Sequence, residues 1–196
     1  PKKILEKTEE LTFEEREEIQ KHSVYGFELL NALPNFSKEA AYIAYQHHER
    51  EDGSGYPKCI TSKFINEMSK IVGLCDVYEA MTAPRVYRNK YLSYQAMKMI
   101  MSSSTTLFNQ KIIKAFISHM AIYPVGSLIR LNDNSVGIVV EANKNFPIRP
   151  VVKIINDSKG VKLDGIKFIN LLEEPSLYIT NPVDERSVNI DSIDQI

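Results

Sequence analysis

The chain has 196 residues, 43% of them hydrophobic and 25% charged, which suits one medium globular domain or a helical unit with a small appendage. Its 24 Lys and Arg against 25 Asp and Glu leave a formal net charge of -1, which excludes the global basic field of a nucleic-acid-polymer or membrane-surface protein. Two cysteines, Cys59 and Cys75, are too few for a disulfide scaffold and lack the spacing of a thiolate metal site. The cysteine usage makes a reducing cytoplasm the expected setting, and no apolar run approaches the roughly 18 residues of a membrane span and no signal-peptide pattern opens the chain. The chain begins Pro1-Lys2-Lys3-Ile4-Leu5 without Met, and we expect residues upstream.

Thr12-Phe13-Glu14-Glu15 reads as a capping box and predicts a helix over about 13–31 that carries His22. Ile19, Gly26, Phe27 and Leu30 share its face at three- and four-residue spacings, which is expected to turn His22 inward, with Gly26 permitting close approach. Ser37 caps a second helix that ends near His47-His48. The Gly53, Gly55 and Pro57 cluster interrupts it, and Thr61 to Met81 resumes a helical pattern with Asp76 on an apolar stripe. Further helices are expected at 92–101 and 109–120. From Tyr123 the pattern shortens to β-like runs at 128–131, 136–141, 151–155 and 167–171, divided by Asn- and Asp-rich turns, which predicts an antiparallel meander or small barrel. The expected organisation is a helical domain over 1–122, a small β subdomain over 123–183 and a tail over 184–196.

His22, His47, His48 and Asp76 form the constellation with chemistry in it. Successive residues of a regular helix point roughly 100° apart, so His47 and His48 are expected to address two neighbouring metal ions rather than one. A carboxylate on an apolar face is costly unless paired, and a divalent cation among imidazoles is a usual partner, although pairing with Arg or a helix end is the alternative for Asp76. His119 belongs to no such set and is read as structural. Cys75 is read as a small buried hydrophobe.

The stretch His47 to Pro57, HHEREDGSGYP, resembles the HHE-xx-DG-x-GYP signature of the HD-GYP family, bacterial metal-dependent phosphodiesterases within the HD phosphohydrolases. The resemblance extends through Leu11-Thr12 with Glu14-Glu15, Lys21-His22, Gly26, Asp76-Val77-Tyr78, Met81-Thr82, Arg85 and Tyr87-Arg88. It continues into Tyr123-Pro124-Val125-Gly126-Ser127 and Arg149-Pro150. It implies a mainly α, HD-type helical bundle followed by a small antiparallel β appendage. It also implies His22, His47, His48 and Asp76 as ligands of two or three divalent ions, iron or manganese, and a mixed imidazole and carboxylate shell suits such ions better than a structural zinc. Glu49 and Asp52 are expected behind the ligands, orienting a histidine or holding the loop, with a solvated acidic loop as the alternative for Asp52. Gly55 shapes the turn. Tyr56 is expected to stack on a purine or donate to a phosphate, or else to pack under its own loop. Arg85 and Arg88 are expected to present guanidinium forks to substrate phosphates, unless they form a solvated basic turn.

Glu79 stands where the family commonly has Asp, and Val86 where a proline often follows the arginine. The family's His-Asp dyad would precede Pro1, so the chain as read holds about half the site. The activity implied is hydrolysis of cyclic di-GMP to linear pGpG, and onward to GMP, in bacterial second-messenger signalling, with a GGDEF-type cyclase as protein partner and a homodimer as assembly. A catalytically inactive cyclic-dinucleotide receptor or docking module, and the same hydrolysis of cyclic GMP-AMP, are the alternatives.

Overall fold

The computed structural model describes residues 2–83, 91–102 and 106–183. The chain divides into two compact units, Pro1–Tyr91 with Gln95–Lys114, and Leu92–Tyr94 with Ala115–Ile196.

After a single turn, α1 (Lys2–Leu5), the capping box forms as the sequence predicts. Thr12 Oγ1 accepts from the Glu15 amide at 3.3 Å while the Glu15 carboxylate accepts from the Thr12 amide at 2.8 Å, opening α2 (Phe13–Gln20). The one helix expected over 13–31 is divided at Lys21, where ψ tightens to -16°, and α3 (His22–Ala32) follows. Ser37 caps α4 (Lys38–Gln46) by accepting from the Ala40 amide at 3.3 Å. Gly26 lies against Ala44 of α4, but a methyl there would meet Ala44 Cβ at an ordinary 3.8 Å, so this crossing does not require glycine.

The helix expected from Thr61 begins later. Ser62–Phe64 is one 3-10 turn, and Asn66 Oδ1 accepts from the amides of Met68 at 2.8 Å and Ser69 at 3.4 Å, which starts α5 (Glu67–Thr82). Cys75 is exposed on it, contrary to its expected burial, because the α5 face it occupies is open, with Met68, Ile71 and Val72 also exposed. α6 (Ser93–Ser102) and α7 (Gln110–His119) fall close to their predicted spans. Ala41, Ile65, Leu74, Ala96, Met97, Ile100 and Ile113 are the buried apolar side chains of the helical unit.

The second unit is a five-stranded antiparallel sheet in the order β4-β3-β2-β1-β5, made of β1 (Leu128–Leu131), β2 (Val136–Glu141), β3 (Val151–Asn156), β4 (Lys162–Asn170) and β5 (Ile179–Pro182). The first four strands make the expected meander. β5 then returns to pair with β1 at the other edge, and β4 starts five residues before the predicted 167. Successive residues Val136 to Val139 of β2 are all buried, so this central strand is covered on both faces. Asp133 Oδ1 accepts from the Ser135 amide at 2.9 Å, and Asp157 Oδ1 accepts from those of Lys159 at 2.9 Å and Val161 at 2.8 Å, which fixes two of the tight turns. The Arg149 guanidinium donates to the carbonyls of Leu171 at 3.1 Å and Leu177 at 2.9 Å, pinning the link into β5. The expected tail, 184–196, lies outside the described residues.

Candidate metal centre

α4 ends at Gln46. His47 is its C-cap residue, and His48 stands in the turn beyond, so the 100° rule for a continuous helix no longer separates the two rings. Both reach His22, the first residue of α3. His22 Nε2 lies 3.4 Å from His47 Nε2 and 3.1 Å from His48 Nε2, and one ring nitrogen from each histidine falls within 4.8 Å of the others, a grouping that can hold a metal ion. The helix end thus lets both rings meet His22, where successive residues of a continuous helix would diverge. His22 is exposed at the mouth of the cluster rather than turned into the interior, because it begins α3 on the face that also leaves Tyr25 and Leu29 exposed, while Ser23 beside it is buried.

The tautomers follow from the backbone. His22 Nδ1 donates to the Ile19 carbonyl at 2.7 Å and His47 Nδ1 to the Ala44 carbonyl at 2.8 Å, so in the neutral rings both Nε2 atoms carry lone pairs. Two lone pairs facing each other at 3.4 Å repel unless a cation or proton lies between them. Burial, reinforced by the neighbouring His47 and His22 rings and Arg50, pushes the His48 pKa down to about 3, and burial also lowers that of His47. Both are thus neutral at neutral pH, the state a metal requires. The donor set fits a divalent cation.

Asp76 approaches from the other side of His48, its Oδ2 3.8 Å from Nδ1, too long for a hydrogen bond. Its side chain is 42% exposed, which removes most of the desolvation cost expected of a buried carboxylate. What brings α5 here is Gly73, one turn before Asp76. A Cβ at Gly73 would collide with the His47 carbonyl oxygen. A lone glycine inside a helical pattern was the sequence signal for this close approach, and it was not used.

The turn after His48 is held by main-chain hydrogen bonds. The buried Glu49 carboxylate accepts from the Lys58 amide at 2.7 Å and the Ile60 amide at 3.0 Å, fastening both ends of the loop's return. Asp52 Oδ1 accepts from the Ser54 amide at 2.9 Å, and the Ser54 bonds hold its carboxyl below the usual range. Gly55 runs so close to the backbone of His48 through Arg50 that no side chain fits. Tyr56 stacks on His48 with ring centroids 4.5 Å apart and planes at 25°, and burial pushes its pKa up to about 12, so the phenol keeps its proton. Its ring therefore packs on the site's own histidine.

Two further features escaped the sequence reading. Arg50 folds back to donate from Nη1 to the carbonyls of His47 at 3.2 Å and Glu49 at 2.9 Å, with its guanidinium 5.2 Å from the centre of the Phe108 ring. Glu51 pairs with Lys70 of α5 at 2.8 Å while its amide donates to the Leu107 carbonyl at 3.1 Å. Although burial works to raise the Glu51 pKa, Lys70, Ser62 and Asn109 hold it below the usual range. Arg85 and Arg88 lie outside the described residues.

Comparison with known proteins accords with this fold. The family model described as HD domain matches residues 1–112, and one described as a KOW domain associated with HD domain matches residues 128–190. The chain belongs to the HD domain family. Its HHE-to-GYP signature and its relatives make it a member of the HD-GYP branch. It is 31% identical over 160 residues to a cyclic di-GMP phosphodiesterase of Pseudomonas aeruginosa, a match covering 82% of this chain and 38% of that protein. It is 30% identical over 155 residues to a cyclic di-GMP phosphodiesterase of Borreliella burgdorferi, covering 79% and 41%. A 3'3'-cGAMP-specific phosphodiesterase of Vibrio cholerae is 32% identical over 120 residues, covering 61% and 23%. The chain spans about two fifths of the length of the first two relatives. Among the described residues no helix is long and apolar enough to cross a membrane.

Proposed function

We propose that this chain contributes to a metal-dependent phosphodiesterase that hydrolyses cyclic di-GMP to linear pGpG, and onward to GMP. The observation that carries the reading is the convergence of the His22, His47 and His48 ring nitrogens, with two Nδ1–H groups already committed to carbonyls. In this reading those three histidines, with Asp76, hold two or three divalent ions, iron or manganese. Such ions, when bound, neutralise charge developing on a phosphoryl group and generate a nucleophile from water at neutral pH.

The chain's own residues do the rest. The Ile19 and Ala44 carbonyls fix the tautomers of His22 and His47, so both present Nε2 without a proton to move. Glu49 and Asp52 hold the loop that carries Tyr56, whose stacking keeps the His48 ring from turning. Arg85 and Arg88 are proposed to meet the substrate's phosphates, which supplies locally the positive charge the chain as a whole lacks. A GGDEF-type cyclase partner and a homodimer belong to the same reading and rest on the resemblance, and a cytoplasmic setting rests on the cysteine usage. Cyclic GMP-AMP is a second substrate reading, favoured by the relative in Vibrio cholerae that is named for it.

The test is metal content together with hydrolysis of cyclic di-GMP and cyclic GMP-AMP, using protein that carries any residues upstream of Pro1, with His47→Ala/His48→Ala as control. Two or more equivalents of iron or manganese, with activity lost in the control, supports the reading. A metal-free protein that binds the dinucleotide without cleaving it would sink it and leave the receptor alternative.

A further inference from the structure

The main-chain carbonyls around the two adjacent histidines can be followed one by one. That of Ile43 accepts from the His47 amide, that of Ala44 from His47 Nδ1, that of Gln46 from the Glu49 amide and that of His48 from the Tyr56 amide. The carbonyls of His47 and Glu49 are met by one side chain, Arg50, through Nη1. A carbonyl at the end of a helix needs a donor when a neighbouring element shuts out water. Here α5 does so, since Gly73 lies so close to the His47 oxygen that a Cβ there would collide with it, and Arg50 Nη1 would stand 3.5 Å from that Cβ. Burial lowers the Arg50 pKa, but guanidinium remains charged, and its plane is seated against the Phe108 ring.

We infer that Arg50, seated on Phe108, is the positioning residue that fixes the turn carrying His47 and His48, and so sets the spacing of their ring nitrogens against His22. The inference rests on the metal-site reading above. It assigns to Arg50 a task that neither contact with a metal nor contact with substrate supplies. The guanidinium satisfies two carbonyls that flank His48 on either side, at the point where the helix gives way to the signature loop. Without it the His47 carbonyl is left facing α5 with no donor, and the turn can relax by rotating the peptide units from which both rings project.

The test compares wild type, Arg50→Met, Arg50→Lys and Phe108→Leu in the full chain. Mn²⁺ affinity is measured by calorimetric titration, and the visible absorption of added Co²⁺ reports the ligand field without turnover. Arg50→Met is expected to weaken metal binding about 10–100-fold, the range for losing a group that orients ligands, and to shift the Co²⁺ bands while far-ultraviolet circular dichroism stays that of wild type. Arg50→Lys, which keeps a charged donor without the planar seat, should recover part of the affinity. Phe108→Leu should weaken binding by a smaller factor, with Arg50 still present. Arg50→Met or Phe108→Leu binding Mn²⁺ within threefold of wild type, with unchanged Co²⁺ bands, would overturn the inference while leaving the metal-site reading intact. A wild-type chain that takes up neither ion would overturn that reading and the inference with it.

Discussion

The signature turn and the β sheet differ in what their side chains contribute. Residues 47–60 form a loop whose order comes from polar groups, with Glu49 on two amides, Arg50 on two carbonyls, Asp52 on the Ser54 amide and Glu51 on Lys70. The sheet is held by aliphatic packing, with Ile129, Leu131, Val139, Val152 and Leu171 all fully buried. Each such side chain contributes roughly 1.5–3 kcal/mol by leaving water, largely without regard to direction. A hydrogen bond nets only about 1 kcal/mol but fixes distance and angle, and leaving one partner buried without the other costs more than the bond contributes. The difference teaches that the loop relies on side-chain bonds of fixed direction beside the histidines, whereas the sheet adds an aliphatic core to its main-chain ladders and turn bonds.

The comparison can be broken most sharply at Ile129, which has no exposed surface. Ile129→Ala is expected to destabilise the sheet by about 2–5 kcal/mol. Amide exchange across β1 and β2 should accelerate accordingly, while Mn²⁺ affinity, governed by the other unit, stays as in wild type. Loss of metal affinity along with the sheet would show that the two modes of stabilisation are not separable.

A smaller effect is expected from Glu49→Gln, which retains shape and loses charge. The amide can accept from one of Lys58 N and Ile60 N but turns its own NH2 toward the other, so about 1–3 kcal/mol should be lost locally. Hydrogen exchange at Lys58 and Ile60 is the measurement, with roughly tenfold faster exchange for each 1.4 kcal/mol. Unchanged protection at both amides would mean that the loop is held by something other than the carboxylate.

The smallest effect is expected at Leu29 on α3, a large apolar residue that is 70% exposed. Leu29→Ser should change stability by no more than about 0.5 kcal/mol in either direction, since it touches no core. A thermal melt that falls by several degrees would reveal that this face is covered in solution.

Local chemistry made much of this legible in advance. The Thr12 and Ser37 caps, the helix end at His47 and the first three strands are written in short-range patterns, and all formed within a residue or two of expectation. The start of α5 was misjudged because the apolar spacing of Ile65 and Met68 continues across a boundary that the Asn66 side chain imposes. The exposure of Cys75 and His22 was misjudged because periodicity says which residues share a face, and not whether anything covers it. The histidines were found because four chemistry-bearing side chains on helical faces stand out from composition. Arg50 was missed because its role exists only in relation to main-chain carbonyls, which a sequence does not display, whereas Gly73 did offer a signal as a lone glycine inside a helical pattern.

The bond from the Glu51 amide to the Leu107 carbonyl has a consequence for biosynthesis. A nascent chain carries both adjacent histidines long before Leu107, Phe108 and Asn109 have been added. Contacts this distant along the chain close late, because the intervening segment must first give up its conformational freedom. On the ribosome the α3–α4 hairpin therefore precedes the finished turn. On the metal-site reading proposed above, the ring nitrogens that would hold an ion exist during synthesis before the segment that completes their turn, and full affinity is expected only after residue 107 has been added.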